Sequence, residues 1–530
     1  MAGIYVARAA ALLIVTTAAI LGLPVERAAA QFVCESTAGG ADGATATGTG
    51  AVACGTDATA NGDDTTAVGN SAEAQGFAST AVGVNAGLNS NSANAVNTAV
   101  GASAGTNVTG DGNTATGGRA GQFVIGDFNM ASGFESGNNV TGSANTAIGM
   151  DSGQTVIGSN NTASGTNSGQ TVTGDSNTAN GFGSGINVTG NANTATGNGS
   201  GAAVQGDSNS AYGNQAGLGV VGNNNTASGL QAGINVTGNS NTASGDVSGI
   251  SVTGNFNTAS SVGAGQFVNG NSNTASGDAT GTSVTGNFNT AGGASAGRGV
   301  EGNSNSAFGD GAGQIVTGNN NIAMGLNAGN NIAANDTIAI GTGATASADG
   351  AIAIGNGAVA TGSVAIGSLA TAGNGGTAVG DGASATFTNS AAYGQNATVV
   401  RDNQQVFGTM SNTYTMAGIA SQASRDAQTG PTYFVTTDGG GNLATSAFDV
   451  GQLTGEIANV GALSAALAGL HPNARAKGDN HLSGAIGNYN GHFGLAAGYF
   501  RNVGDNLLFS LGGAVSGGDV SANAGVTMSW

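Results

Sequence analysis

Apolar and polar positions along this chain return with a period of sixteen residues. Units open on Asn97, Asn113, Asn129 and so on to Asn321, then on Thr337, and the third position of each is alanine, from Ala99 to Ala339. The twelfth is valine from Val108 to Val316 and closes with Ile332, the ninth is glycine from Gly105 to Gly329, and the fifth is glycine except at Ser261. Alanine and valine nine residues apart, with glycines between, make no 3.6-residue stripe, and glycine is costly inside helices. The pattern predicts a parallel β-solenoid in which each coil holds two short strands, one carrying the alanine and one the valine. Ala99 and Val108, Ala115 and Val124, and Ala227 and Val236 are the expected core pairs, with glycines supplying the positive φ of the turns. Stacking sets each asparagine over the next, so their amides can hydrogen-bond along the stack. About twenty coils at roughly 4.8 Å each give a rod on the order of 100 Å. Outside this block the coil shortens to about fourteen or twelve residues, as around Thr65–Gly69 and Ala351–Gly355.

The period then changes twice. Residues 401–446 are richer in aromatic, charged and Gln residues, with turn signals at Gly430-Pro431 and Asp438-Gly-Gly-Gly, and predict a connector. Leu453, Ile457, Val460, Leu463, Leu467 and Leu470 follow spacings of 3 and 4, which predicts an amphipathic helix; glycines at 455, 461 and 469 weaken it, so a partner helix is implied. From 480 to 530 alternation has period two in four segments, each with the roughly 9–11 residues a tilted strand needs to cross a bilayer. Four strands cannot close a barrel, and open edges in lipid leave backbone groups unpaired. Two copies would give eight strands and three would give twelve, and strand counting does not choose between them.

Composition narrows the class. The chain has 530 residues with 100 glycines and 7% charged residues, too much Gly and too little apolar bulk for one large core. Its net charge of −19 removes the clustered positive charge that nucleic acid or anionic membranes require. Arg8, the apolar run over 9–23 and the small residues at 28–30 form a secretory signal, so the mature chain leaves the cytoplasm. No later apolar run is long enough for a transmembrane helix. Cys34 and Cys54, the only cysteines, can form a disulfide after export. No histidine precedes His471, so neither a metal site at these cysteines nor a general base for the head's hydroxyls is expected, and no cofactor is implied. The carboxylates Asp111, Asp127, Glu135 and Asp175 are taken to fall at variable repeat positions without forming a fixed pair, which also argues against catalysis. The domains expected are a signal at 1–30, an N-terminal segment at 31–64, a β-solenoid head at 65–396, a connector at 397–445, a coiled-coil helix at 446–472 and an anchor at 473–530.

The signal, the Ala-x-Gly coils, the short helix and the four amphipathic strands ending in Trp530 resemble a trimeric autotransporter adhesin of the YadA-like family. The resemblance implies a left-handed β-roll head, a homotrimer with a twelve-stranded barrel in the outer membrane, and helices inside that barrel. It also implies attachment to extracellular matrix, host cells, abiotic surfaces or sister cells, and it carries over no binding residues. It further implies that Trp530 is the signal read by the outer-membrane insertion machinery and that a pore-facing glycine of the second anchor strand is Gly494 or Gly498. A rival reading is a secreted structural or ice-binding solenoid, for which the threonines at position two, from Thr98 to Thr290 with gaps, would be the flat face, an array interrupted at Met130, Ser210 and Ser306.

Overall fold

The computed structural model describes residues 32–34, 42–91, 96–430, 432–475 and 478–530, so the signal segment lies outside the described residues. The chain divides near residue 409 into two units.

The first unit is the solenoid. One parallel sheet of 25 strands runs from Phe32–Val33 to Gln405–Phe407. Its register repeats the sequence period, with Ala147 paired to Ala163 and Ala163 to Ala179. A second row of two-residue strands and single bridges carries the valines, for example Val156, Val172 and Val188 in successive coils. Between the rows lie the buried alanines and an unbroken file of valines from Val108 to Val316. The core residues Ala99, Val108, Ala115, Val124, Ala227 and Val236 are all buried.

The parallel stack passes beyond the expected head at both ends. Thr59-Ala60 and Glu73-Ala74 continue the second row with alanine in place of valine, and Val52 pairs with Thr66, so 42–64 is already solenoid. At the far end Ala392 pairs with Val406. These flanking coils set Ala against Ala, as with Ala353 and Ala360, and the smaller pair closes over fewer residues. Ile352 stacks on Val364 only twelve positions later.

Six positions of each sixteen-residue coil have positive φ, and glycine holds only some of them. At position fourteen, Gly238 has φ +136, and a Cβ there would lie 1.9 Å from the Gly254 carbonyl oxygen. At position nine, a Cβ on Gly233 would lie 2.7 Å from that of Ala227. The seventh, eleventh and sixteenth positions sit near φ +58 with the side chain outward, and there the chain uses Arg119, Phe123 and Phe128. A left-handed turn open to solvent costs a non-glycine residue little beyond its backbone preference.

The second unit begins with a connector containing the hairpin Tyr433–Thr437 and Leu443–Asp449. Asp438 closes its turn by accepting from the Gly440 and Asn442 amides, each at 2.9 Å. Helix α1 (Val450–Ala468) follows, then an antiparallel sheet of β1 (Asn480–Tyr489), β2 (His492–Asn502), β3 (Leu507–Ser516) and β4 (Asp519–Met528) in that order. Among the described residues no helix is long and apolar enough to cross a membrane.

Candidate functional site

The two faces of the anchor sheet differ in kind. Leu482, Ile486, Phe493, Leu495, Tyr499, Phe509, Leu511 and Val515 are exposed on one face, as strands facing lipid require. The other face presents Gly494, Ala496, Gly498, Phe500, Gly512 and Ala514, and α1 lies against it. Small residues let the backbones approach. Gly487 pairs with Gly494 across β1 and β2, and a Cβ on either would fall 2.6 or 2.5 Å from the Ala462 carbonyl oxygen on the helix. Gly498 lies instead under the Leu470 side chain, where a Cβ would be 2.9 Å from Cδ1. The two glycines singled out in the sequence therefore meet different parts of the interior segment: Gly494 meets helix backbone and Gly498 a side chain. Gly487 was not found from sequence. The signal for it was present in the alternation, which puts Gly487 on the same face as Ala485.

The helical stripe is split between two surfaces. Leu463 and Leu470 are buried against the chain's own strands together with Ala458, Ala462 and Ala466, whereas Leu453, Ile457 and Val460 are exposed. The inner face of β4, with Ser521, Asn523, Gly525 and Thr527, stays largely uncovered. Among the described residues β1 and β4 each pair with one neighbouring strand, so both outer edges of the sheet lack a further strand. Trp530 stands fully exposed beyond β4.

On the head the asparagine at position one is buried and bonded both ways along the stack. Asn225 donates from Nδ2 to Asn209 Oδ1 at 3.0 Å and to the Gly238 carbonyl at 2.8 Å, and its Oδ1 accepts from the amide N–H and Nδ2 of Asn241. A second ladder, at position fifteen, was not read from the sequence. There the Asp127 carboxylate accepts from the Asp111 amide at 2.8 Å, Asp175 from Ser159, Asp207 from Asn191, and Asn residues continue the row from Asn223 to Asn335. Asp111, Asp127 and Asp175 thus share one repeat position, which corrects the reading of scattered carboxylates. Only Glu135 differs, reaching Arg119 at 2.6 Å. These carboxylates accept backbone hydrogen bonds as asparagine does, so the position alternates among Asp, Asn and Ser and its regularity is hidden. No cluster of three potential metal ligands occurs among the described residues.

The outward residues of the first strand row change along the stack. The central coils present hydroxyls, as at Thr226/Ser228, Thr242/Ser244 and Thr258/Ser260, while the later short coils present Ile338/Ile340, Ile352/Ile354 and Val364/Ile366. The threonine file is broken by Met130, which is exposed. Cys34 and Cys54 are joined, with Cα atoms 4.7 Å apart, and tie the first coil to the second.

A repetitive exposed solenoid joined to a sheet with one lipid-suited face and an interior helix defines a surface protein held by β-strands. Residues 472–530 match the YadA-like membrane anchor domain, and residues 46–72 and 334–358 match the YadA head domain repeat. The two matches together support a YadA-like autotransporter adhesin, with the anchor domain in the outer membrane and the head repeats at the cell surface. No curated protein matches the chain as a relative.

Proposed function

We propose that three copies of this chain close one twelve-stranded barrel, export their heads through it and then serve as an adhesive fibre whose binding is multivalent. The two free edges of the four-strand sheet carry this reading. Each edge in lipid costs several kcal/mol per unpaired group, and pairing β4 of one copy with β1 of the next removes both. The exposed Leu453, Ile457 and Val460 are then the contact between three interior helices. The outward isoleucine and valine pairs of the short coils, half-buried in one chain apart from the exposed Ile366, supply apolar contact between heads. Gly487 and Gly494 give the moving chain room where the helix passes closest, and Trp530 is the residue offered to the insertion machinery.

The head has few charges, so one copy offers a ligand only shallow polar contacts, and repetition converts weak contacts into firm attachment. Matrix proteins, host cells, abiotic surfaces and sister cells are the candidate targets, and neither catalysis nor a cofactor is assigned. To test this, cells displaying the full chain are compared with cells displaying residues 446–530 behind a signal peptide, on each of these surfaces. Attachment should follow the head, and a purified single head should compete for it poorly. Tight binding by one isolated head, or equal attachment by cells lacking it, would refute the multivalent reading.

A further inference from the structure

The helix that lies in the anchor is smooth except at one residue. Where α1 faces its own sheet it presents Ala458, Ala462, Leu463 and Ala466, followed by Leu470 just past its end, against Ala496, Phe500 and Ala514. Apolar contacts of this kind are nondirectional and do not favour one axial position strongly over the next. Asn459 is different. Its Oδ1 lies 2.7 Å from His492 Nδ1 at the start of β2 and 3.4 Å from Ser516 Oγ at the end of β3, and its Nδ2 donates to Asp519 Oδ2 at 3.4 Å at the start of β4. A Cβ on Gly455, one helical turn away, would lie 3.9 Å from His492 Cε1, and Ser516 donates to the Phe493 carbonyl at 3.0 Å. The turn after β3 is shaped to receive the amide: Gly517 has φ +57, and a Cβ there would fall 2.3 Å from Asn459 Nδ2.

We propose that Asn459 is the stop that fixes where the exported chain comes to rest in its barrel, with His492, Ser516 and Asp519 as the receptor; this rests on the export reading above. A single polar residue in an apolar helical interface specifies register because every other register leaves it, or its partners, unpaired. A slip of one turn, about 5.4 Å, takes Asn459 from all three partners and sets Gly455 or Leu463 opposite them in its place. Asn459 is thus a positioning residue, and the alanine and glycine face allows the sliding that it ends.

The test uses the full-length chain in outer membranes. A Cβ on Gly461 would meet the Tyr489 ring, so Gly461→Cys with Tyr489→Cys reports the resting register; Ile457→Cys or Ala465→Cys with Tyr489→Cys reports a slip of one turn either way. With Asn459 present, only the 461–489 pair should oxidise. Asn459→Ala should raise a slipped pair about tenfold or more, the factor that loss of a hydrogen bond to a charged partner corresponds to. Asn459→Asp places a second carboxylate beside Asp519 and should broaden the register, and adding Asp519→Asn should restore it, which a loss of packing alone would not do. Should Asn459→Ala fail to reach the membrane, Gly517→Ala, which displaces the amide while keeping all four polar groups, is read in the same way. An unchanged single register in Asn459→Ala, or in Gly517→Ala where that variant replaces it, overturns the proposal. A parent chain absent from the outer membrane fails the anchor reading instead.

Discussion

Asn225 takes part in four hydrogen bonds through its side chain alone, three with the asparagines one coil before and after it and one to Gly238 near the end of its own coil. Substituting alanine strands the Gly238 carbonyl and the Asn241 amide in a buried site. At about 1–3 kcal/mol per unsatisfied group, Asn225→Ala should cost about 3 kcal/mol locally. Hydrogen exchange at Asn241 and its neighbours should accelerate accordingly. Gln231→Ala, at the half-buried seventh position, removes one solvent-accessible hydrogen bond to Gln215 Oε1 and should change stability by less than about 0.5 kcal/mol, because Ala279 already occupies the equivalent place with φ +51. Equal effects from the two substitutions would mean that the ladder is not what holds the coils. The contrast also explains which residues could be read from sequence. Position one keeps its asparagine because the amide is used in both directions, whereas positions seven, eleven and sixteen vary because their side chains point outward and meet at most an equivalent side chain one coil away. The fifteenth-position ladder is hidden in the sequence because Asp, Asn and Ser perform the same acceptor role there.

At the scale of single elements, each coil touches only its neighbours, so a defect should stay near where it is made. Reducing the Cys34–Cys54 disulfide should fray the first coils, seen as faster exchange over the described residues 42–54, and leave exchange beyond Thr98 unchanged. Loss of protection along the whole head would contradict a stack of independent coils. The helix shows the opposite dependence. Leu453 and Ile457 make little contact within their own chain, so Leu453→Ser with Ile457→Ser should leave secondary structure intact by circular dichroism while reducing the recovery of assembled anchor. Gly487→Val should do the same for a different reason, since no side chain fits between β1 and the Ala462–Ala466 backbone. Spacing revealed the helix and its six apolar positions but not their division. Which of them turn to the sheet depends on where Gly487 and Gly494 lie, and that is a tertiary fact. The four strands were legible because a sheet with lipid on one side and small residues on the other alternates strictly. The early start of the solenoid was less so, because the first coils put alanine where the later ones have valine.

For the whole molecule, the solenoid and the anchor make one demand in common. The apolar pairs at Ile338/Ile340 and Ile352/Ile354 are only half-buried, and among the described residues the outer edges of β1 and β4 pair with no further strand. The proposed trimer would answer both, and the net charge of −19 on each chain favours repulsion between neighbouring fibres at low ionic strength. The most direct measurement is the apparent mass of the full chain extracted from outer membranes without heating. The account predicts a denaturant-resistant species at three times the mass of one chain, collapsing to the single chain on boiling. A single-chain species before heating, or the protein recovered soluble in the periplasm, would contradict it.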